Sequence, residues 1–358
     1  MTEDTDTRTL LVDTAQRIFQ DHCTQATVEA AKRAGWSGAL WDVLEQTQLP
    51  LVSVAEAHGG AGGSVSDMAA VLRVAGRFSA PVPLAETGLL AGWLLAASGR
   101  HVPSGPLAAA PQRPDASLTL TRHAGRWTLE GELKRVPWAR IAAHLVVLAR
   151  CEDADWVVMV DPKRVRIVPG CNLAWEPRDD VRFDDLSLGA DDVVPAGPGV
   201  NFAALYARGA LARSVLMVGA LDRALELAVS HAKTRVQFGR PIARFQAVQQ
   251  ELARFADEVA AAAAAALSAA GEVERSVGAI AVACAKVRVG EAATTGAGIA
   301  HQIHAAIGVT EEFALHHSTL RLQAWRSEYG SESEWSERLG AHILESGADR
   351  LWPILTES

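Results

Sequence analysis

The chain has 358 residues, 49% hydrophobic and 21% charged, an ordinary folded-protein balance with length for two or three domains. Its 34 Lys and Arg stand against 42 Asp and Glu for a net charge of −8, and no basic run stands out, which argues against a nucleic-acid partner. Cys23, Cys151, Cys171 and Cys284 are scattered with no Cys-x-x-Cys pair, and the start from Met1 to Arg8 is acidic and polar. Free thiols and the lack of a signal-peptide pattern there lead us to expect a cytoplasmic location.

From residue 9 to about residue 100 the apolar spacing is helical, as in Leu10, Leu11, Ala15, Ile18 and Phe19, and then Trp41, Leu44 and Leu49. A glycine-rich turn, His58 to Gly63, interrupts it. No strand precedes that turn and no Lys-Ser/Thr follows, so it reads as a turn and not as a phosphate loop. The apolar runs Leu89 to Ser98 and Val259 to Ala270 fall short of the ~20 residues of a spanning helix, and no membrane span is expected. Between 108 and 200 the period becomes two. Leu118–Arg122, Arg126–Glu130, Leu145–Ala149, Trp156–Val160 and Val165–Val168 are strand-like runs parted by Gly, Pro, Asp and Asn, which predicts a small antiparallel barrel or sandwich. Helix returns at Phe202, and its Ala-rich segments predict a closely packed bundle. The expected architecture is a helical N-terminal domain (1–107), an antiparallel β middle domain (108–200) and a C-terminal helical bundle (201–358).

The most specific stretch is Arg235-Val-Gln-Phe-Gly-Arg-Pro-Ile-Ala-Arg-Phe-Gln-Ala-Val-Gln249. A helix runs up to Thr234, Gly239 suits a left-handed close, and Pro241 suits the first turn of the next helix. Such a helix–helix corner gathers a guanidinium, an aromatic ring and amides, a set suited to a dinucleotide. An ordinary corner with solvent-facing Arg and Gln would have the same spacing. The segment resembles the C-terminal signature of the acyl-CoA dehydrogenase family, R-x-x-F-G-x-P-[IL]-x-x-x-Q-x-[VI]-Q. Helices, a β-domain and then a bundle is also that family's domain order.

The resemblance implies FAD, an acyl-CoA substrate and an electron-transferring flavoprotein as acceptor. It maps Arg235, Gln237, Phe238, Gln246, Gln302 and Ser331 onto FAD-contacting positions, and it places Leu51–Glu56 and Ala80–Thr87 beside the acyl pocket. It also implies a Glu base of raised pKa that removes the α-proton while the β-hydride passes to flavin. In Arg326-Ser-Glu-Tyr-Gly-Ser331, Gly330 and Ser331 fall on the family's Gly and Thr, Tyr329 takes the base position and Glu328 lies one place early. A tyrosine, with its pKa near ~10, is a poor base at neutral pH, so Glu328 is the expected catalytic residue. The region Tyr206 to Ala210, where other members carry the Glu, offers no carboxylate.

Two departures concern the flavin. The family's Thr-Glu-Pro-x-x-Gly-Ser-Asp segment is missing from Leu107–Ser117, and Pro137 falls on the Thr that usually serves flavin N5. Ala305 and Ala306 also replace two glycines. In the family each FAD crosses a subunit interface, so one good half-site resembles a subunit of a heteromeric acyl-CoA dehydrogenase. A homo-oligomer with substituted contacts, or a non-catalytic partner completing another chain's FAD site, are the other readings. His301 and His304, and likewise His316 and His317, lack a third ligand at metal-site spacing and read as packing or surface histidines, so no metal is expected. No Gly-x-Ser-x-Gly elbow is present.

Overall fold

The computed structural model describes residues 2–113, 118–275, 279–350 and 352–353. Helices α1 (Thr2–His22), α2 (Gln25–Ala34), α3 (Gly38–Gln46), α4 (Val65–Arg77) and α5 (Trp93–Ala97) come first, the last preceded by a wholly buried π-helical turn, Ala85–Gly92. Eight strands follow: β1 (Leu107–Ala109), β2 (Leu118–His123), β3 (Arg126–Pro137), β4 (His144–Cys151), β5 (Ala154–Val160), β6 (Arg166–Val168), β7 (Arg178–Leu188) and β8 (Val193–Pro195). The remainder is helical except for a two-stranded hairpin. It comprises α6 (Phe202–Thr234), β9 (Val236–Gln237), β10 (Arg240–Pro241), α7 (Gln246–Arg275), α8 (Ala279–His304), α9 (Leu315–Arg326) and α10 (Glu332–Ser346).

The large sheet runs β6-β7-β3-β2-β4-β5-β8, with β1 also on β4. It is mixed, which corrects the expected all-antiparallel arrangement: β4 pairs in parallel with both β1 and β2. The reason lies in connection length. Ala124 and Gly125, both at positive φ, make a tight turn that forces β2 and β3 antiparallel. The longer link after β3 lets β4 settle beside β2, in the same direction. Strand β7 was not evident from the sequence because charges crowd it. Its inward residues Val181 and Phe183, and then Leu186 and Leu188, each follow the pleat, with an irregularity at Asp184–Asp185 that shifts the alternation by one residue.

Period-two alternation also explains how sheet and helices share β4. Leu145, Val147 and Ala149 face the sheet's own apolar core, whereas Val146 and Leu148 join the core formed with the helices. Helix α6 is the axis of that second core. Among the described residues it is the one helix long and apolar enough to cross a membrane, but 89% of its apolar window is buried against the rest of this chain. It crosses α4 at two glycines: a Cβ on Gly219 would lie 1.9 Å from the Arg73 carbonyl oxygen, and one on Gly76 would lie 2.1 Å from that of Leu216. The crossing is tied by Arg73, whose Nε and Nη2 donate to Asp222 at 2.7 and 3.0 Å.

Candidate flavin and acyl sites

Helix α6 ends at Thr234, and the next residues make a hairpin where a plain helix–helix corner was expected. Gln237 pairs with Arg240 and Val236 with Pro241. The turn residues Phe238 and Gly239 have φ of 50° and 76°, the double positive φ of a tight two-residue hairpin. Phe238 therefore stands at the tip, 91% exposed, its ring meeting Phe245 edge-on at 6.1 Å. Arg235, Gln237 and Gln246 are exposed beside it, and so is Gln302 near the end of α8. None of these four side chains has a hydrogen bond or ion pair among the described residues. An aromatic ring held open to solvent forgoes roughly 1.5–3 kcal/mol of burial, and nothing in this chain covers it among the described residues.

Ser331 is placed elsewhere. Its hydroxyl caps α10, accepting from the Glu334 N–H at 3.3 Å, and lies 3.0 Å from the Ser333 hydroxyl. It shares the α9–α10 link with Glu328 and Tyr329, and no hydrogen bond or ion pair among the described residues joins this link to the hairpin. Ala305 has a φ of 54°, the left-handed region where glycine is favoured.

Glu328 lies at the centre of a buried ionic cluster. Arg178 Nε and Nη2 donate to its two oxygens at 2.8 and 3.0 Å, Arg213 Nε donates at 2.5 Å and Asn172 Nδ2 at 3.2 Å. Arg213 also binds Glu86 at 2.6 Å, while Arg178 and Arg321 bind Glu176 at 3.0 and 3.2 Å. Three carboxylates thus face three guanidinium groups, all buried except for the edge of Glu328 that reaches a cavity wall. Burial alone would raise the Glu328 pKa, but the charges and hydrogen bonds of Arg178 and Arg213 outweigh it and hold the carboxyl at about 2. That is the opposite direction from the raised pKa expected of an α-proton base. Tyr329 fares no better, since burial pushes its phenol well up. Its ring lies so close over α6 that a Cβ on Gly209 would fall 2.1 Å from it.

The cluster was not read from the sequence, although two signals were there. Arg213 interrupts the apolar face of α6, and Glu86 interrupts the apolar run that becomes the π-helical turn. They bind each other across 127 residues, and the other partner of Arg213, Glu328, comes from the α9–α10 link, also far away along the chain.

The segment Ala80–Glu86 borders a space of only about 20 Å³, enclosed with Trp138, Arg178, Arg213 and Trp325. That is room for about one water. Leu51 and Thr87 line a separate cavity of about 210 Å³ with Trp41, Pro50 and Val102. A third cavity, about 350 Å³, opens where β3 meets the α9–α10 link and is lined by Arg113, Lys134, Arg135, Pro137, Tyr206 and Glu328, among others.

These observations test a flavin dinucleotide half by half. The hairpin's unpaired Arg235, open Phe238 and amides match a diphosphate and an aromatic base presented by a neighbouring chain. The cavity at Pro137 does not match the other half in the same way. Pro137 has neither hydroxyl nor N–H to offer at the position the resemblance gives to flavin N5. In place of the missing wrapping segment, Gln112 turns inward and bonds the Leu148 backbone through both its amide atoms, at 2.6 and 2.8 Å. Residues 114–117 of that segment lie outside the described residues.

Helices, a mixed sheet and a helical bundle follow one another in this order, the domain order of acyl-CoA dehydrogenases. The N-terminal domain of acyl-CoA dehydrogenases matches residues 5–101 and the C-terminal domain matches residues 204–336, so the chain belongs to the acyl-CoA dehydrogenase family. It is 28% identical to acyl-CoA dehydrogenase IpdE2 of Mycobacterium tuberculosis over 95% of this chain and 98% of that one. A solved steroid ACAD, Tcur3481–Tcur3483, superposes with a TM-score of 0.86 at 26% identity, covering 96% of this chain and 99% of that one. The ChsE4–ChsE5 complex of Mycobacterium tuberculosis has the same fold, with a TM-score of 0.85 at 22% identity over 95% and 98% of the two chains.

Proposed function

We propose that this chain is one subunit of a heteromeric, FAD-dependent acyl-CoA dehydrogenase, and that it completes the FAD site of another acyl-CoA dehydrogenase chain without supplying the α-proton base. The assembly's reaction is the α,β-dehydrogenation of an acyl-CoA thioester, with an electron-transferring flavoprotein as acceptor. When bound, FAD supplies the acceptor for the β-hydride. This chain supplies Arg235 for the diphosphate, Phe238 for the adenine face, and Gln237, Gln246 and Gln302 for the remaining polar edges. Ser331 stays a candidate contact whose hydroxyl would have to leave its capping role. The domain division at 107/108 and 200/201 is part of the same proposal.

One observation carries the reading: Glu328, the expected base, is locked between Arg178 and Arg213 with its pKa near 2. A carboxylate that holds its charge so firmly has little tendency to take a carbon-bound proton. The relatives that are complexes or steroid ACADs support a two-chain assembly. A second reading, a catalytic subunit using Glu328, is favoured by that residue's place in the wall of the 350 Å³ cavity.

The two readings separate on purification. Expressed alone, the chain should be colourless. Co-expressed with a partner acyl-CoA dehydrogenase chain, it should give one FAD for each pair of chains, and Glu328→Gln should leave flavin reduction by substrate intact. A yellow homo-oligomer with one FAD per chain, inactivated by Glu328→Gln, would establish the second reading instead.

A further inference from the structure

Away from the residues discussed above, two elements from distant parts of the chain bring a carboxylate and two imidazoles to one point. Glu29 comes from α2, and His316 and His317 open α9. Glu29 Oε1 lies 3.4 Å from His316 Nε2 and 3.1 Å from His317 Nε2, and all three atoms lie within 4.8 Å of one another. A tetrahedral ion with bonds of ~2.0–2.1 Å needs ligand atoms roughly 3.3–3.4 Å apart, so two of the three edges are already at metal-site length.

The imidazoles are prepared in the way metal ligands are. His316 Nδ1 is 2.8 Å from the Phe313 carbonyl, which fixes the proton on that nitrogen and leaves the Nε2 lone pair facing Glu29. His317 is 4% exposed, and its Nε2 has no hydrogen-bond partner among the described residues; it approaches Glu29 out of line for a hydrogen bond.

One cation already approaches the point. Lys32 Nζ donates to Glu29 Oε1 at 2.8 Å and lies 3.4 Å from His316 Nε2. It serves two of the three groups and leaves His317 Nε2 orphaned. A buried imidazole nitrogen without a partner costs roughly 1–3 kcal/mol, and an ordinary ion pair has no use for it.

We propose that Glu29, His316 and His317 form a binding site for a divalent transition-metal ion of the zinc class, with solvent in the fourth position, and that Lys32 competes for the same place. The set is two imidazoles and a carboxylate, which suits Zn²⁺ or Co²⁺ better than the all-oxygen preference of Mg²⁺ or Ca²⁺. Binding would pin α2 of the first helical region to α9 of the last one. It requires that Lys32, a flexible side chain, swing toward solvent and that the two imidazole Nε2 atoms settle to the third edge of the tetrahedron.

The test uses the full chain, in its assembly if the chain requires one, stripped with a chelator and titrated with Co²⁺. Expected is one Co²⁺ per chain with the visible bands of a low-symmetry nitrogen–oxygen site, displaced by Zn²⁺. Glu29→Gln and His317→Ala should each weaken binding by at least about tenfold, whereas Lys32→Met should tighten it. Glu29 is half-exposed, so its variant keeps the assay valid should His317→Ala fail to fold. His301→Ala, on α8, should leave binding unchanged. No cobalt spectrum, or binding that survives Glu29→Gln, would overturn the proposal. So would a Lys32→Met variant that binds metal no better than the natural chain.

Discussion

Arg213 and Arg235 belong to one helix and its end, yet they serve opposite purposes. Arg213 is buried in the middle of α6 and spends its donors on Glu86 and Glu328. Arg235 closes α6 at the surface with no side-chain partner among the described residues. The same contrast holds between their surroundings. Around Arg213 the space left beside the paired charges is about 20 Å³, while around Arg235 an aromatic ring is left in open solvent. Buried and paired charge stabilises the chain that carries it. Exposed and unpaired functionality fits a contact made with something else, which is why we place this chain's contribution at the hairpin.

Breaking the buried half should give the largest effect. Arg213→Met strands Glu86 in the interior and takes one of two guanidinium partners from Glu328, which keeps Arg178, and a loss of about 3–5 kcal/mol in denaturant unfolding is expected. A loss below about 1 kcal/mol would mean that the cluster is not what holds α6 to the π-helical turn and the α9–α10 link.

Acid provides a second break. Folding lowers the Glu328 carboxyl from its ordinary 4.5 to about 2, so the unfolded chain binds the proton more readily. The stabilisation is fully present above pH 4.5 and is lost as pH falls through about 2. It amounts to something on the order of 3 kcal/mol. Glu328→Gln should begin less stable at neutral pH and show a flatter stability profile across that acid range. Parallel profiles for the two proteins would deny the depressed pKa.

The packing of Tyr329 is sharpened by Gly209→Ala. Alanine favours helix by about 1 kcal/mol, but here its Cβ meets the Tyr329 ring at 2.1 Å. A net loss of about 1–3 kcal/mol is expected from such overpacking. A stabilised variant would show that the ring moves freely.

The hairpin should respond least in stability. Arg235→Ala and Phe238→Ala should change unfolding free energy by no more than about 0.5 kcal/mol. In the assembly, Arg235→Ala should nonetheless weaken FAD retention by roughly 1.5–3 kcal/mol, the size of a charge-assisted hydrogen bond. Unchanged retention would separate Arg235 from the flavin.

Much of the fold is legible in the sequence. The end of α6 at Thr234, the left-handed Gly239 and the runs that become β2 to β6 all depend on neighbours a few residues away, where spacing and backbone preference act directly. The family membership is legible too, carried by one stretch from Arg235 to Gln249. Less legible was β7, whose alternation is hidden among aspartates and arginines, and the parallel placement of β4, which depends on a linker's path. The hairpin tip lies between these cases: Phe238-Gly239 marks a break, but the positive φ of Phe238 that turns a corner into a hairpin comes from the pairing of Val236 with Pro241.

The sequence alone determined which side chains were available: one carboxylate near the position the family resemblance gives to the base, a proline at the position it gives to a flavin contact, and the Arg-Phe-Gly signature. Only the tertiary structure decided what that carboxylate is. Glu328 and its partners Arg178 and Arg213 lie 150 and 115 residues apart along the chain, so no local pattern relates them. A pKa follows from the charges and solvent around a group in space, and that environment exists only once β7, α6 and the α9–α10 link have packed together.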